Sequence, residues 1–267
     1  MRMPVPWKVL GSAVGTGGAC TILSFFFFTR DIEFVPLESS DPIFLSENFK
    51  RYNPCGNPTI HDLHIKRVPL SQIDPKLREN QEKLLERYCG GVWAGLGGCR
   101  TSSSSYCNHS IRQSDKNMLS YAITTGFAPQ RILLALLYKE TSRTDPAAPG
   151  PAPLWSPSEL LESEYKPGTD IAGHFEVIER SKHGHSILIR GGDKISNRGL
   201  RPLDGFIELT ASVDQEHSLV EFGFKTVFFQ GLGPAAGGKL PMPGPVVWLH
   251  EQYAKALLAS GVSYVCM

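Results

Sequence analysis

Four segments with two-residue alternation, followed by one amphipathic helix, occupy residues 165–267 and limit the folds open to this chain. The segments are residues 174–180, 186–190, 205–213 and 219–230, and the helix runs over about 245–265. In the third segment Ile207, Leu209, Ala211 and Val213 share one face, and Phe206, Glu208, Thr210 and Ser212 the other. In the fourth, Val220, Phe222, Phe224, Thr226 and Phe228 alternate with Glu221, Gly223, Lys225 and Val227. Residues 214–218 have the length of a hairpin turn between them. One apolar and one more polar face per strand suits an antiparallel sheet curved round a core. On the helix, Val246, Leu249, Tyr253 and Leu257 form a stripe expected to be buried, with His250 beside it. The expected fold is α+β: a curved antiparallel sheet wrapped around a long C-terminal helix, the helix-grip layout. Such a container suits an apolar small molecule.

The rest of the chain is less regular. Residues 31–58 contain proline, asparagine and scattered aromatics, and read as irregular structure packed over the domain. A first strand is expected over 61–68, ended by Pro69. Leu77, Leu84, Leu85, Tyr88, Val92 and Trp93 recur at helical spacing and predict a helix over 76–93. Residues 98–127 open with a Ser-rich run and hold no period, while 132–138 is helical again. That pattern reads as an insertion, translated intron sequence included, or as a surface loop. A Pro/Ala-rich connector at 144–157 precedes a short helix at 159–164. Residues 31–267 are thus read as a single domain interrupted at 98–127, behind a hydrophobic segment at 1–30.

That first segment carries 21 uncharged residues from Val9 to Thr29, preceded by Arg2 and Lys8. Roughly 20 apolar residues span a bilayer as a helix. Three readings compete: a single-pass anchor, a cleaved signal peptide and an apolar arm. No small-x-small cleavage site follows the Phe25–Phe28 run, which disfavours cleavage. An anchor makes the protein membrane-associated, for instance in the endoplasmic reticulum, with the N-terminus cytosolic and the domain lumenal. In that topology Asn108, in Asn-His-Ser, is a glycosylation site. Otherwise the location is cytoplasmic. The formal net charge of +1 gives no reason to expect nucleic acid. Six cysteines without a CxxC pair fit free thiols better than a metal site or a disulfide framework.

No nucleophile elbow, Walker loop or dinucleotide fingerprint is present. His61 and His64 stand three apart, which on a strand sends them to opposite faces and argues against a metal pair. His183 and His185 fall at a hairpin tip and are expected in solvent. His250 and Tyr253 lie on the inner edge of the C-terminal helix, where either can hydrogen-bond or protonate a ligand. A core histidine satisfied by the protein is the alternative. Arg190, Asp193, Arg198, Arg201 and Asp204 form a charged cluster able to grip a carboxylate, or else a set of surface ion pairs. Glu208, Glu221 and Lys225 read as a cross-strand salt-bridge set.

The runs HFEVIERS (174–181), IRGGD (189–193), LRPLDGFIEL (200–209), EFGFKTVFFQGLG (221–233) and PMPGPVVWLHEQYAK (241–255) resemble a family of fungal proteins found beside secondary-metabolite genes. The resemblance covers residues 31–97 and 130–267. The layout also resembles START and birch-pollen-allergen proteins. One group of this appearance includes the norbornene-forming Diels–Alderase of sordarin biosynthesis. The resemblance implies a cofactor-independent cyclase of terpenoid biosynthesis performing an intramolecular [4+2] reaction. Such a reaction needs folding of the substrate and a donor to its carbonyl, and no metal or cofactor. Trp93, Phe222, Phe224 and Trp248 would shape the pocket, and His250, Tyr253 or Arg201 would polarise the substrate. A lipid or metabolite carrier without catalysis is the alternative, and a membrane-tethered interaction protein a third reading.

Overall fold

The computed structural model of the protein describes residues 25–95 and 152–267. Among these, seven strands form one open sheet, antiparallel throughout. They are β1 (Ile32–Val35), β2 (Thr59–Pro69), β3 (Asp170–Ile171), β4 (Phe175–Arg180), β5 (Ser186–Gly191), β6 (Asp204–Asp214) and β7 (Leu219–Phe229), in the order β1-β2-β7-β6-β5-β4-β3. Strands β4 to β7 are neighbours in sequence order, and β2 then pairs with β7 along its whole length. The expected alternation is what the strands show. The β6–β7 turn is closed by Asp214, which accepts the His217 backbone N–H at 2.9 Å.

Both faces of the sheet are covered. On the first, α4 (Gln81–Ala94) and α6 (Gly244–Ser263) lie side by side with α5 (Pro157–Glu162). Leu84, Tyr88, Val92 and Leu258 meet Ile187, Ile189, Leu209, Phe222 and Phe224 there in the main apolar core. The two long helices approach closely at glycine. A Cβ on Gly261 would lie 2.5 Å from the Tyr88 ring, so a larger residue forces the helices apart. Ser260 Oγ donates to the Gly91 carbonyl at 2.8 Å across the same crossing.

The second face is covered by α1 (Pro42–Leu45) and α2 (Glu47–Tyr52), which seat Ile43, Phe44, Phe49 and Tyr52 on Leu188, Phe206, Val227 and Phe229. Residues 31–58, expected to be irregular, thus hold a strand and two helices. Local capping makes them: Asp41 accepts the Ile43 N–H at 3.0 Å ahead of Pro42, and Ser46 accepts that of Phe49 at 3.1 Å. The helix expected over 76–93 is likewise two, α3 (Pro75–Arg78) and α4. Glu79 closes the first, and Asn80 caps the second by accepting the Lys83 N–H at 3.0 Å.

The sheet does not close, and α6 is not enclosed by strands alone, since α4 lies along it. The expected buried stripe is also corrected. Val246 and Leu249 are 44% and 61% exposed, and burial of α6 begins at Ala254. The inward side of its first turns runs through the half-buried Val247 and His250 rather than through Val246 and Leu249, and full burial is reached only in the C-terminal half. The segment 98–127 with Asn108, the expected helix at 132–138, most of the connector at 144–157 and most of 9–29 lie outside the described residues. The end of that apolar run is helical at 25–29, with Phe26 and Phe27 exposed. No helix among the described residues is long and apolar enough to cross a membrane.

Candidate acid–base site

Strand parity puts two polar side chains on the core face of β2. Ile60, Asp62, His64 and Val68 point the same way, and all four are buried. The register sets Asp62 opposite Thr226 and His64 opposite Phe224 on β7. α6 crosses above these strands and brings His250 down onto them. Asp62, His64, Thr226 and His250 therefore form a polar cluster in apolar surroundings, where the His250 ring meets Phe228 edge-on at 4.8 Å between centroids.

The hydrogen bonds have a direction. The Thr226 hydroxyl donates to Asp62 Oδ1 at 2.8 Å. Its single proton is then used, so toward His250 Nε2, 3.1 Å away, it can only accept. Nε2 must carry the imidazole proton, and Nδ1 is left with the lone pair. Asp62 Oδ2 lies 3.6 Å from His250 Nε2, outside hydrogen-bond reach but close enough to stabilise a positive ring. The arrangement is a chain from imidazole to hydroxyl to carboxylate that fixes a tautomer. Burial pushes the His250 pKa down, with Asp62 opposing that shift and His64 adding to it. The neutral ring is therefore the resting form near neutral pH. His250 keeps 17% of its side chain open to solvent.

His64 is less well provided for. It is fully buried, and neither ring nitrogen has a hydrogen-bond partner. Its Nδ1 stands 3.6 Å from Asp62 Oδ1, and its ring meets Phe34 edge-on. Asp62 Oδ2 also lacks a hydrogen bond. Buried polar groups are normally paired, so three such atoms in one cluster mark it out. Among the described residues no group of three or more His, Cys, Asp or Glu is placed to hold a metal ion. His61 faces away from the cluster, as strand parity requires, and sits on Phe44.

The other residues singled out in the sequence are not all brought together. Tyr253, one turn along from His250, packs against the core, and burial raises its pKa. Trp93, Phe222 and Phe224 are core residues at 0–1% exposure, whereas Trp248 is 61% exposed. Arg201 does not reach the cluster. Its guanidinium is buried and donates to the carbonyls of Gly191, Lys194 and Asn197, all at 2.9–3.1 Å, pinning the loop after β5. Burial lowers its pKa, helped by Arg190 nearby. Arg190 pairs with Asp204 inside the protein, through Nε to Oδ1 at 2.9 Å and Nη2 to Oδ2 at 2.6 Å. The charged cluster of 190–204 is thus largely internal bracing. Lys225 bridges Glu208 and Asp41 at 2.9 and 3.0 Å, so the cross-strand reading holds there, while Glu221 pairs with Arg67. His183 and His185 are exposed at the β4–β5 tip, and the cysteines of the described residues are free thiols.

Asp62, His64 and Thr226 were not legible as a site from helical spacing or from motifs. The signal lay in β2, where two polar residues interrupt a buried alternating face. Comparisons with protein-family models, with curated proteins and with solved structures return no match.

Proposed function

We propose that this protein is a cofactor-independent cyclase acting on an apolar terpenoid by an intramolecular [4+2] reaction. The observation that carries the reading is the oriented chain His250–Thr226–Asp62 beside the core, with 17% of the His250 side chain open to solvent. The cyclisation is concerted: three π bonds become two C–C σ bonds and one new π bond, and nothing leaves. The protein has to fold the substrate and polarise it. With Nε2–H held by Thr226, protonation occurs at Nδ1, and that N–H donates to the dienophile carbonyl. Asp62 compensates the charge. A donor aimed at developing negative charge is worth roughly 10²-fold in rate.

A helix-grip arrangement accompanies this proposal. The antiparallel order from β2 through β7 to β3, with α6 against β2 and β7, supports it. Membrane tethering through residues 9–29 is part of the same reading, supported by the uncharged run and the exposed phenylalanines at its end. The decisive experiment is removal of the gene from its host, followed by chemical analysis of what accumulates. An uncyclised precursor, converted in vitro by the purified protein and about 10²-fold more slowly by His250→Ala, supports the cyclase. A precursor bound tightly and returned unchanged makes the protein a carrier.

A further inference from the structure

A second site lies on the opposite side of the sheet. Asn48, Arg51 and Tyr52 of α2, Glu176 and Ile178 of β4, Arg190 of β5 and Arg198 of the following loop line a cavity of about 300 Å³, at the lower end of the range for small-molecule sites. Arg190 pairs on its inner side with Asp204, and its Nη1 makes no hydrogen bond to the protein among the described residues. The guanidinium carbon sits 3.7 Å from the centre of the Tyr52 ring, which holds it flat. Arg51 approaches the same ring at 5.3 Å. Arg198 pairs with Glu176.

The charge balance defines the guest. Arg190 and Arg198 each have a carboxylate partner, while Arg51 has none among the described residues. Arg51 is therefore the guanidinium of the lining left without an ion pair, and the nearest further carboxylate, Glu179, is engaged by Asn48 at 2.9 Å. A planar guanidinium fork matches a carboxylate with two parallel hydrogen bonds. Ile178 is an apolar side chain in an otherwise mostly polar lining. We propose that this cavity binds a small organic carboxylate, its carboxylate held by Arg51 and the outer nitrogen of Arg190. The site is independent of the His250 cluster, since Arg190 alternates along β5 with Ile189 of the main core.

The test uses benzoate as probe and benzamide, its neutral isostere, as control, titrated into the full-length protein by calorimetry. Arg51 is exposed, so Arg51→Gln leaves the fold intact. Benzoate should bind at least about tenfold more tightly than benzamide, and Arg51→Gln should weaken benzoate by about tenfold, the scale of one charge-assisted hydrogen bond. Glu176→Gln removes the opposing carboxylate and should tighten binding, which a merely structural role for Glu176 would not produce. Equal affinity for benzoate and benzamide, an Arg51→Gln variant that binds as well as the parent, or no heat of binding for benzoate overturns the proposal.

Discussion

The two faces of the sheet differ in how one cluster of buried polar groups is satisfied. On the second face, Arg190 and Asp204 satisfy each other bidentately, and Lys225 has two carboxylates. The neighbouring Arg201 is met by three backbone carbonyls. On the first face, Asp62 is half satisfied and His64 makes no hydrogen bond at all. Burial without partners is costly, because the group loses water and gains nothing in return. The second face therefore reads as construction, with its open cavity as the exception. The first holds a cluster whose cost stability does not explain and which a role toward a ligand would.

The contrast predicts where substitutions act. The largest effect belongs to Asp204→Ala, which strands Arg190 in the interior and should destabilise the fold by about 3–5 kcal/mol in urea unfolding. A loss under about 1 kcal/mol would remove the distinction between the faces. The opposite sign is expected for His64→Leu. Replacing an unpaired buried imidazole by an apolar side chain of similar size should stabilise by about 1–2 kcal/mol. Destabilisation there would show that His64 has a structural partner. The smallest effect concerns pH. In the unfolded chain His250 takes up its proton near pH 6.5, and in the folded chain at a lower value. Its contribution to stability is therefore complete above pH 6.5 and declines as the pH falls below that value, because the unfolded state binds the proton first. His250→Gln should flatten that part of the stability profile. Under the proposed donor role, turnover moves the other way, rising as the pH falls toward the lowered His250 value.

Much of the fold was legible because period and turn chemistry agree from β4 to β7. Ile207, Leu209 and Ala211 face the core as their spacing requires. The N-terminal layer was not legible, because α1 and α2 are too short to show a period and are set by the caps Asp41 and Ser46. The helix stripe misled for a different reason. Val246 and Leu249 keep a helical spacing on turns that extend past the packed core. His250 could be found from its place beside Tyr253 and Leu257. Its partners could not, because Asp62 and Thr226 are 164 residues apart and meet only through the pairing of β2 with β7. Arg201 was legible as a member of a charged cluster, but its three carbonyl partners depend on the path of a loop that no pattern encodes.

Thr226 and Asp62 hold His250 with its proton on Nε2 and its lone pair on Nδ1. Long-range ¹H–¹⁵N spectra of the histidine side chains, recorded across the pH range, report the tautomer and the pKa together. The expected result is a neutral His250 with protonated Nε2 and a pKa below 6.5, falling further in Asp62→Asn as the compensating charge is lost. A neutral ring protonated on Nδ1, or a pKa indifferent to Asp62→Asn, would contradict it.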